Sequence, residues 1–261
     1  MGEETSRLNA ELLVLDPDGI GASIRGTVMH ADAAPLGDAH RRRFPSPTPV
    51  TVHRSDTLDF AVEYARAGGR TPAVLNMACA AAPGGGWRHG RTAQEECLFY
   101  RSTYDLSLSD PHGADPLRTW RYPIPPRGVV YSPDVLVYRA GADDGWRVLK
   151  NRERRRLSFV AVAAIKDPPL DRRGLMRPED SDLTRDKMRT ALRVAALHDH
   201  DSCVLGALGC GAYHNPPEQV AALFRDVIAE PEFEGVFREL AFAVVDGPRT
   251  DNYRVFARAF A

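Results

Sequence analysis

The chain has 261 residues, 43% of them hydrophobic and 26% charged, which allows a large packed core and excludes wholesale disorder. Its formal net charge is −1, so no chain-wide basic field exists to bind nucleic acid by phosphate neutralisation. No apolar run approaches the roughly 20 residues that cross a bilayer. The opening Met1-Gly2-Glu3-Glu4-Thr5 is acidic and lacks the apolar core of a signal peptide. Four cysteines (Cys79, Cys97, Cys203 and Cys210) without a Cys-x-x-Cys pair predict reduced thiols rather than a disulfide framework or zinc knuckle. A cytoplasmic, membrane-free protein is expected.

Residues 1–48 are rich in Asp, Gly, Ala, Arg and Pro, and Leu8, Leu12 and Leu15 keep an i, i+4, i+7 spacing that predicts a short helix. This segment is expected to be a helical or irregular extension packed on a main domain spanning 49–261. Val50–His53 predicts a short strand, and Asp56 can cap a helix that Gly68-Gly69 ends. Ala73–Ala78 is apolar on both sides, as a buried strand is, and a helix begins near Gln94. Residues 106–127 predict a long surface insertion. Val129–Ser132 and Val135–Tyr138 predict two strands split by Pro133-Asp134. Leu157–Ala164 follows as another strand, and Leu183–His200 as a helix. Next come a strand over Ser202–Leu208, a helix over Pro216–Ile228, a strand over Leu240–Val245 and a closing helix over Tyr253–Phe260. Alternating strands and helices predict one α/β domain with a mixed or parallel sheet flanked by helices.

Two strands run into glycine loops, Pro83-Gly84-Gly85-Gly86-Trp87 and Gly206-Ala207-Leu208-Gly209-Cys210-Gly211-Ala212. Beyond the carboxyl ends of strands, such loops let backbone N–H groups approach a phosphate closely. Neither is a P-loop, and the second carries the dinucleotide glycine spacing reversed. A tight turn explains either loop alone. Two in one domain point to a diphosphate ligand held between them. In Thr92-Ala93-Gln94-Glu95-Glu96, Thr92 and Glu95 have capping-box spacing, a structural account of Glu95 that leaves a catalytic role open. Glu96 has no such account. Adjacent helical residues project about 100° apart, so the two carboxylates cannot flank one bond as in most glycoside hydrolases. One glutamate acting first as acid and then as base remains, with the substrate's diphosphate stabilising the cation.

The spacing Gly84-Gly85-Gly86, seven residues, Gln94-Glu95-Glu96 resembles the poly(ADP-ribose) glycohydrolases. Asn76-x-Ala78, Glu96-x-Leu98-x-x-Arg101-Ser102, Tyr131–Val135 and Leu205-Gly206-Ala207-x-Gly209-Cys210-Gly211-Ala212-Tyr213-x-Asn215-Pro216-Pro217 resemble the microbial branch, over roughly residues 50–261. The resemblance implies a macrodomain fold and hydrolysis of ribose–ribose O-glycosidic bonds in poly(ADP-ribose), releasing ADP-ribose. It implies Glu96 as acid/base and Glu95 as the residue holding the adjacent ribose. Gly84, Gly85, Gly86 and Gln94 would bind substrate, as would the 209–213 loop around the diphosphate, with Tyr213 near the terminal ribose or adenine. Asn76 and Asn215 stand in the matched motifs, and Asp56 matches the position that recognises the adenine amino group, besides its capping role. Cys79 departs from the family pattern, in which other residues stand at this ribose-contact position. Trp87 is bulkier than expected at the end of its loop and predicts a walled, exo-type site.

The partners expected are poly(ADP-ribose), ADP-ribose, and ADP-ribosylated protein or DNA, acted on by a monomer without metal or cofactor. A non-catalytic ADP-ribose reader and a hydrolase removing mono-ADP-ribose from protein or DNA are the competing readings. His198 and His200 lack a third ligand at metal-site spacing and predict a solvated helix end. Arg152, Arg154, Arg155 and Arg156 predict a solvated face, with polymer collection as the alternative.

Overall fold

The buried apolar runs lie side by side in one seven-stranded sheet. The computed structural model describes residues 1–40, 42–68, 71–247 and 250–261. Arg41 and Gly69 lie outside the described residues. In chain order the strands are β1 (Val28–His30), β2 (Val50–His53), β3 (Ala73–Met77), β4 (Val129–Val137), β5 (Arg155–Val162), β6 (Ser202–Leu205) and β7 (Glu239–Ala243). Their order across the sheet is β1-β4-β5-β3-β6-β7-β2. The run from β5 to β2 is parallel, and β1 and β4 form an antiparallel edge.

The helices are α1 (Gly2–Leu15), α2 (Pro17–Arg25), α3 (Thr57–Arg66), α4 (Gln94–Arg101), α5 (Tyr104–Ser109), α6 (Pro178–Leu197), α7 (Pro217–Ile228) and α8 (Asn252–Ala259). Side chains alternate along the central strands. Ala73, Leu75, Cys203 and Leu205 join the core under α6, α7 and α8, whereas Val74 and Val204 join the core under α3, α4 and α5. Both sheet faces are therefore covered, which is why these strands read as unbroken apolar runs.

Several boundaries differ from expectation. Val129–Val137 is one strand with an irregularity between Ser132 and Val135: Asp134 takes φ 47°, and the bulge absorbs Pro133 without ending the pairing. The start of the expected surface insertion is helix α5, with Leu106 and Leu108 buried. Helix α6 begins at Pro178, where proline fits the first helical turn. Helix α3, in contrast, ends as expected: it runs to Arg66, and its cap Ala67 is followed by Gly68 at φ 95°.

The segment 1–48 contributes two helices and the edge strand β1. Leu12, Ile20 and Ile24 pack with Leu106 and Tyr138, and the Ser23 hydroxyl donates to the Pro133 carbonyl at 2.5 Å. Its weak periodicity reflects helices that bury few residues each, three in α1 and four in α2. His198 and His200, expected in solvent, are packed instead. The His198 ring stacks on Tyr131 at 3.7 Å, and His200 Nε2 meets the Tyr131 hydroxyl at 2.9 Å. Arg155 and Arg156 open β5, at the opposite end of that strand from the carboxyl ends of the sheet. Arg156 pairs with Asp16 at the start of α2 and donates to the Asp134 carbonyl, so this one arginine of the cluster fastens α2. Among the described residues no helix is long and apolar enough to cross a membrane.

Candidate active site

Strands β3 and β6 are neighbours, yet the chain leaves them towards opposite faces: β3 leads to α4 and β6 to α7. Such a switch point opens a crevice at the carboxyl ends of the strands. Pairing between β3 and β6 covers only Ala73↔Cys203 and Val74↔Val204, so the strands part just below it. The crevice is a cleft of about 520 Å³, lined by both glycine loops and by Gln94, Glu95 and Glu96.

Gln94 seals the point where the strands part. Its side-chain Oε1 accepts from Met77 N–H at 2.9 Å, and its Nε2 donates to the Leu75 carbonyl at 2.8 Å. A primary amide offers the same donor and acceptor as a peptide group, so Gln94 stands in for the missing strand. This pins the start of α4 to β3. The helix cap is Ala93, without a side-chain cap bond. The capping box expected from Thr92 and Glu95 does not form, because Glu95 turns towards β3 rather than back to the helix start.

The Glu95 carboxylate accepts from Cys79 N–H at 2.7 Å, Gly84 N–H at 3.1 Å and Asn76 Nδ2 at 3.4 Å. Both oxygens are committed to the protein. Burial pushes its pKa up to about 8, opposed by these three donors. Glu96 accepts from Gly86 N–H through Oε1 at 2.9 Å. Among the described residues no hydrogen bond occupies its other oxygen, and the side chain lines the cleft. The adjacent glutamates thus divide: one fixes the floor and the other keeps an open valence.

Gly85 lies directly over the pair. It has φ +52°, and a Cβ there would come within 2.8 Å of Glu96 Oε1 and 3.2 Å of Glu95 Oε2. Only glycine leaves room for a substrate atom above the carboxylates. Across the cleft, Gly209 has φ +74°, and a Cβ would meet Ala164 and Asn215 at 2.6 Å. Asn215 secures this loop by donating to the carbonyls of Ile165 (2.7 Å), Tyr213 (3.0 Å) and Gly209 (3.2 Å). Among the described residues, the N–H groups of Gly209, Gly211, Ala212 and Tyr213 donate to no protein acceptor. Four free donors on a positive-φ loop form an anion-binding concavity.

The remaining expected residues divide between wall and support. Gly85, Gly86, Gln94, Gly209, Gly211, Ala212 and Tyr213 line the cleft with the two glutamates. Gly84, Asn76, Cys210 and Asn215 are not among its lining residues and act from behind it. Asn76 is fully buried and bonds Glu95 and the Tyr104 hydroxyl. The Cys210 thiol is buried against the Leu208 carbonyl, and burial raises its pKa. Asp56 does not reach this cleft. Its carboxylate caps α3 through Leu58 and Asp59 N–H and binds Arg101 at 2.8 Å, facing a separate depression that shares only Thr92 with the cleft. Trp87 is 2% exposed and packs on Phe99 and Tyr100. It belongs to the core and is not among the residues lining the cleft, so it gives no ground for expecting exo-type cleavage.

Among the lining residues that were not anticipated are the two cations Arg91 and Lys166. Arg91 and Lys166 are exposed cations at the cleft mouth, and only the meeting of distant segments could reveal Lys166. Tyr213 is half-buried, and burial with the neighbouring Cys79 thiol raises its hydroxyl pKa, keeping it a neutral donor. Among the described residues no group of three or more His, Cys, Asp or Glu is placed to hold a metal.

Residues 14–140 match the family model described as "Microbial-type PARG, catalytic domain". The fold is similar to the poly(ADP-ribose) glycohydrolase of Thermomonospora curvata, with 28% identity, 99% of each chain covered and a TM-score of 0.76. A second structure of that enzyme holds the inhibitor ADP-HPD and matches with a TM-score of 0.75, at 28% identity and 99% coverage of each chain. The chain is also similar to the poly(ADP-ribose) glycohydrolase of Deinococcus radiodurans in complex with ADP-ribose. There the identity is 30% over 93% of this chain and 97% of that one, with a TM-score of 0.72. Among curated protein sequences, none matches.

Proposed function

The chain belongs to the family of microbial-type poly(ADP-ribose) glycohydrolases and hydrolyses poly(ADP-ribose) to ADP-ribose, and we propose that Glu96 performs both proton transfers while Glu95 and the 209–213 loop hold the substrate. One observation carries this division of labour. Glu95 spends both oxygens on protein N–H groups, whereas Glu96 lines the cleft with an oxygen that no described residue occupies.

The terminal ADP-ribose lies with its diphosphate on the free N–H groups of Gly209, Gly211, Ala212 and Tyr213, and its ribose against Gly85 and Gly86. Glu96 gives its proton to the oxygen leaving for the next unit as the bond from that oxygen to the anomeric carbon breaks. The oxocarbenium-like cation is stabilised by the diphosphate's negative charge. Water then adds to the anomeric carbon, and its proton returns to Glu96. The protein's part is orientation: Gly86 N–H and the fixed start of α4 aim one carboxylate at one oxygen.

We read the switch-point sheet as a macrodomain-like arrangement. Four thiols, none in a disulfide, support a reducing, cytoplasmic setting. Polymer is the preferred substrate over mono-ADP-ribosylated protein or DNA.

Glu96→Gln is expected to lower the rate of chain shortening by at least about a thousandfold, the scale of losing a general acid together with its base function, while ADP-ribose binding by calorimetry stays within about threefold. Retained chain shortening in this variant would overturn the assignment. The same assay on polymer, mono-ADP-ribosylated protein and ADP-ribosylated DNA is expected to show fastest release from polymer.

A further inference from the structure

Gly85 is a ridge between two depressions. One is the ADP-ribose cleft. The other, about 610 Å³, is lined among others by Pro83, Arg88, His89, Trp120, Arg121 and Tyr122. We propose that this second depression is the leaving-side subsite, which holds the ADP-ribose unit beyond the scissile bond with a base on its aromatic surface and a phosphate at Arg121. The inference rests on the proposed function and adds to it a site for the part of the polymer that departs.

Continuity of the substrate gives the direction. A bond inside or at the end of a polymer has a nucleotide unit on both sides of its oxygen. That oxygen must sit within reach of Glu96, whose Oε1 is 2.8 Å from where a Gly85 Cβ would be. With one unit lying from Gly85 towards the 209–213 loop, the next passes over Gly85 into the second depression.

Charge and shape fit the occupant. Arg121 is exposed, and among the described residues no carboxylate pairs with it. The acids of the depression are already engaged: Asp115 faces Arg118 at 3.7 Å, and Asp110 accepts from Ala114 and Asp115 N–H at 2.7 and 3.0 Å. Trp120 is half-buried and held firmly, its Nε1 donating to the Thr27 carbonyl at 3.1 Å with the Arg118 guanidinium 4.4 Å from its ring centre. The Tyr122 hydroxyl is buried without a hydrogen-bond partner. A fixed aromatic surface beside an uncommitted guanidinium is the combination that holds single-stranded nucleotides without reading sequence.

The other neighbouring depression, reached past Thr92, is a poorer route. Its arginines Arg54, Arg66, Arg101, Arg139 and Arg147 stand among as many carboxylates, Asp56, Asp59, Glu63, Asp143 and Asp144. Arg101 is committed to Asp56 and Asp59. That surface offers an anion no net attraction.

The test compares ligands on hydrolysis-silenced protein. Glu96→Gln protein is titrated by calorimetry with ADP-ribose and with a two-unit ADP-ribose oligomer. The dimer is expected to bind about tenfold more tightly, an advantage that shrinks with added salt. Arg121→Ala on that background is expected to remove about threefold of the dimer's advantage and leave ADP-ribose affinity as it was. Equal affinity for the two ligands overturns the subsite, as does a dimer advantage untouched by Arg121→Ala. Absence of ADP-ribose binding to the Glu96→Gln protein would instead count against the proposed function, so the two failures are distinct.

Discussion

At the scale of single residues, the site depends on atoms that are missing as much as on those present. Gly85 supplies a backbone at φ +52° and a gap over Glu96. Gly85→Ala places a methyl where a substrate oxygen has to lie and strains the backbone by about 1–3 kcal/mol. It is expected to lower kcat/KM on polymer by at least about a hundredfold, the cost of a misplaced reacting group, with Tm down by a few degrees. Glu95 makes a second prediction. Its pKa rises from 4.5 unfolded to about 8 folded, so between these values the native state keeps a proton that the unfolded chain has lost. Its contribution to stability is complete below 4.5 and is lost as pH rises through 8. Glu95→Gln should therefore flatten the plot of unfolding free energy against pH over that window. An unchanged slope would show that the three N–H donors outweigh burial. Net stability should also fall, because an amide cannot accept from both Cys79 and Gly84 N–H.

At the scale of elements, the cleft exists because β3 and β6 separate after two residue pairs and Gln94 closes the seam. Gln94→Leu leaves Met77 N–H and Leu75 C=O unpaired, at about 1–3 kcal/mol each. Denaturant unfolding is expected to show a loss of about 2–6 kcal/mol, and activity should fall further as α4 loosens. A wild-type midpoint in this variant would mean that the amide is dispensable. The sequence pattern revealed β3, β5, β6 and β7 readily, because strands buried on both faces are unbroken apolar runs. It also singled out Glu96, since a second glutamate next to a capping candidate needs another purpose, and Glu96 lines the cleft. The Thr92–Glu95 pair misled for a physical reason: spacing of three residues is shared by a capping box and by a helix whose first turn faces a strand end. Only the position of Cys79 and Gly84 N–H decides between them. Lys166 and Arg121 were invisible, because a lone cation has no pattern until folding brings it beside a cleft.

At the scale of the whole molecule, the N-terminal segment is bound into the sheet through β1, and a histidine cluster marks the seam. His30 on β1 meets His198 after α6, with Nε2 atoms 3.3 Å apart. His198 stacks on Tyr131 of β4, and His200 bonds both the Tyr131 hydroxyl and the Thr71 carbonyl. Three segments distant in sequence thus depend on uncharged imidazoles. Burial lowers the pKa of His30 and His200, and burial with the two neighbouring histidines lowers His198 to about 4. A histidine held below its ordinary 6.5 is neutral in the native state while the unfolded chain takes up a proton. Stability from this cluster is therefore complete above 6.5 and declines as pH falls from 6.5 towards 4. Glu95 slopes the opposite way, so the histidine effect is read as the difference between wild type and His198→Gln. The variant should be less stable than wild type at neutral pH, where stacking on Tyr131 is reduced, and should lose less on acidification. Proteolysis at the N-terminal segment should report the same event locally, with cleavage of wild type accelerating below pH 6.5 before global unfolding. Parallel pH profiles for the two proteins would remove His198 from this role and leave the seam to apolar packing of α1 and α2.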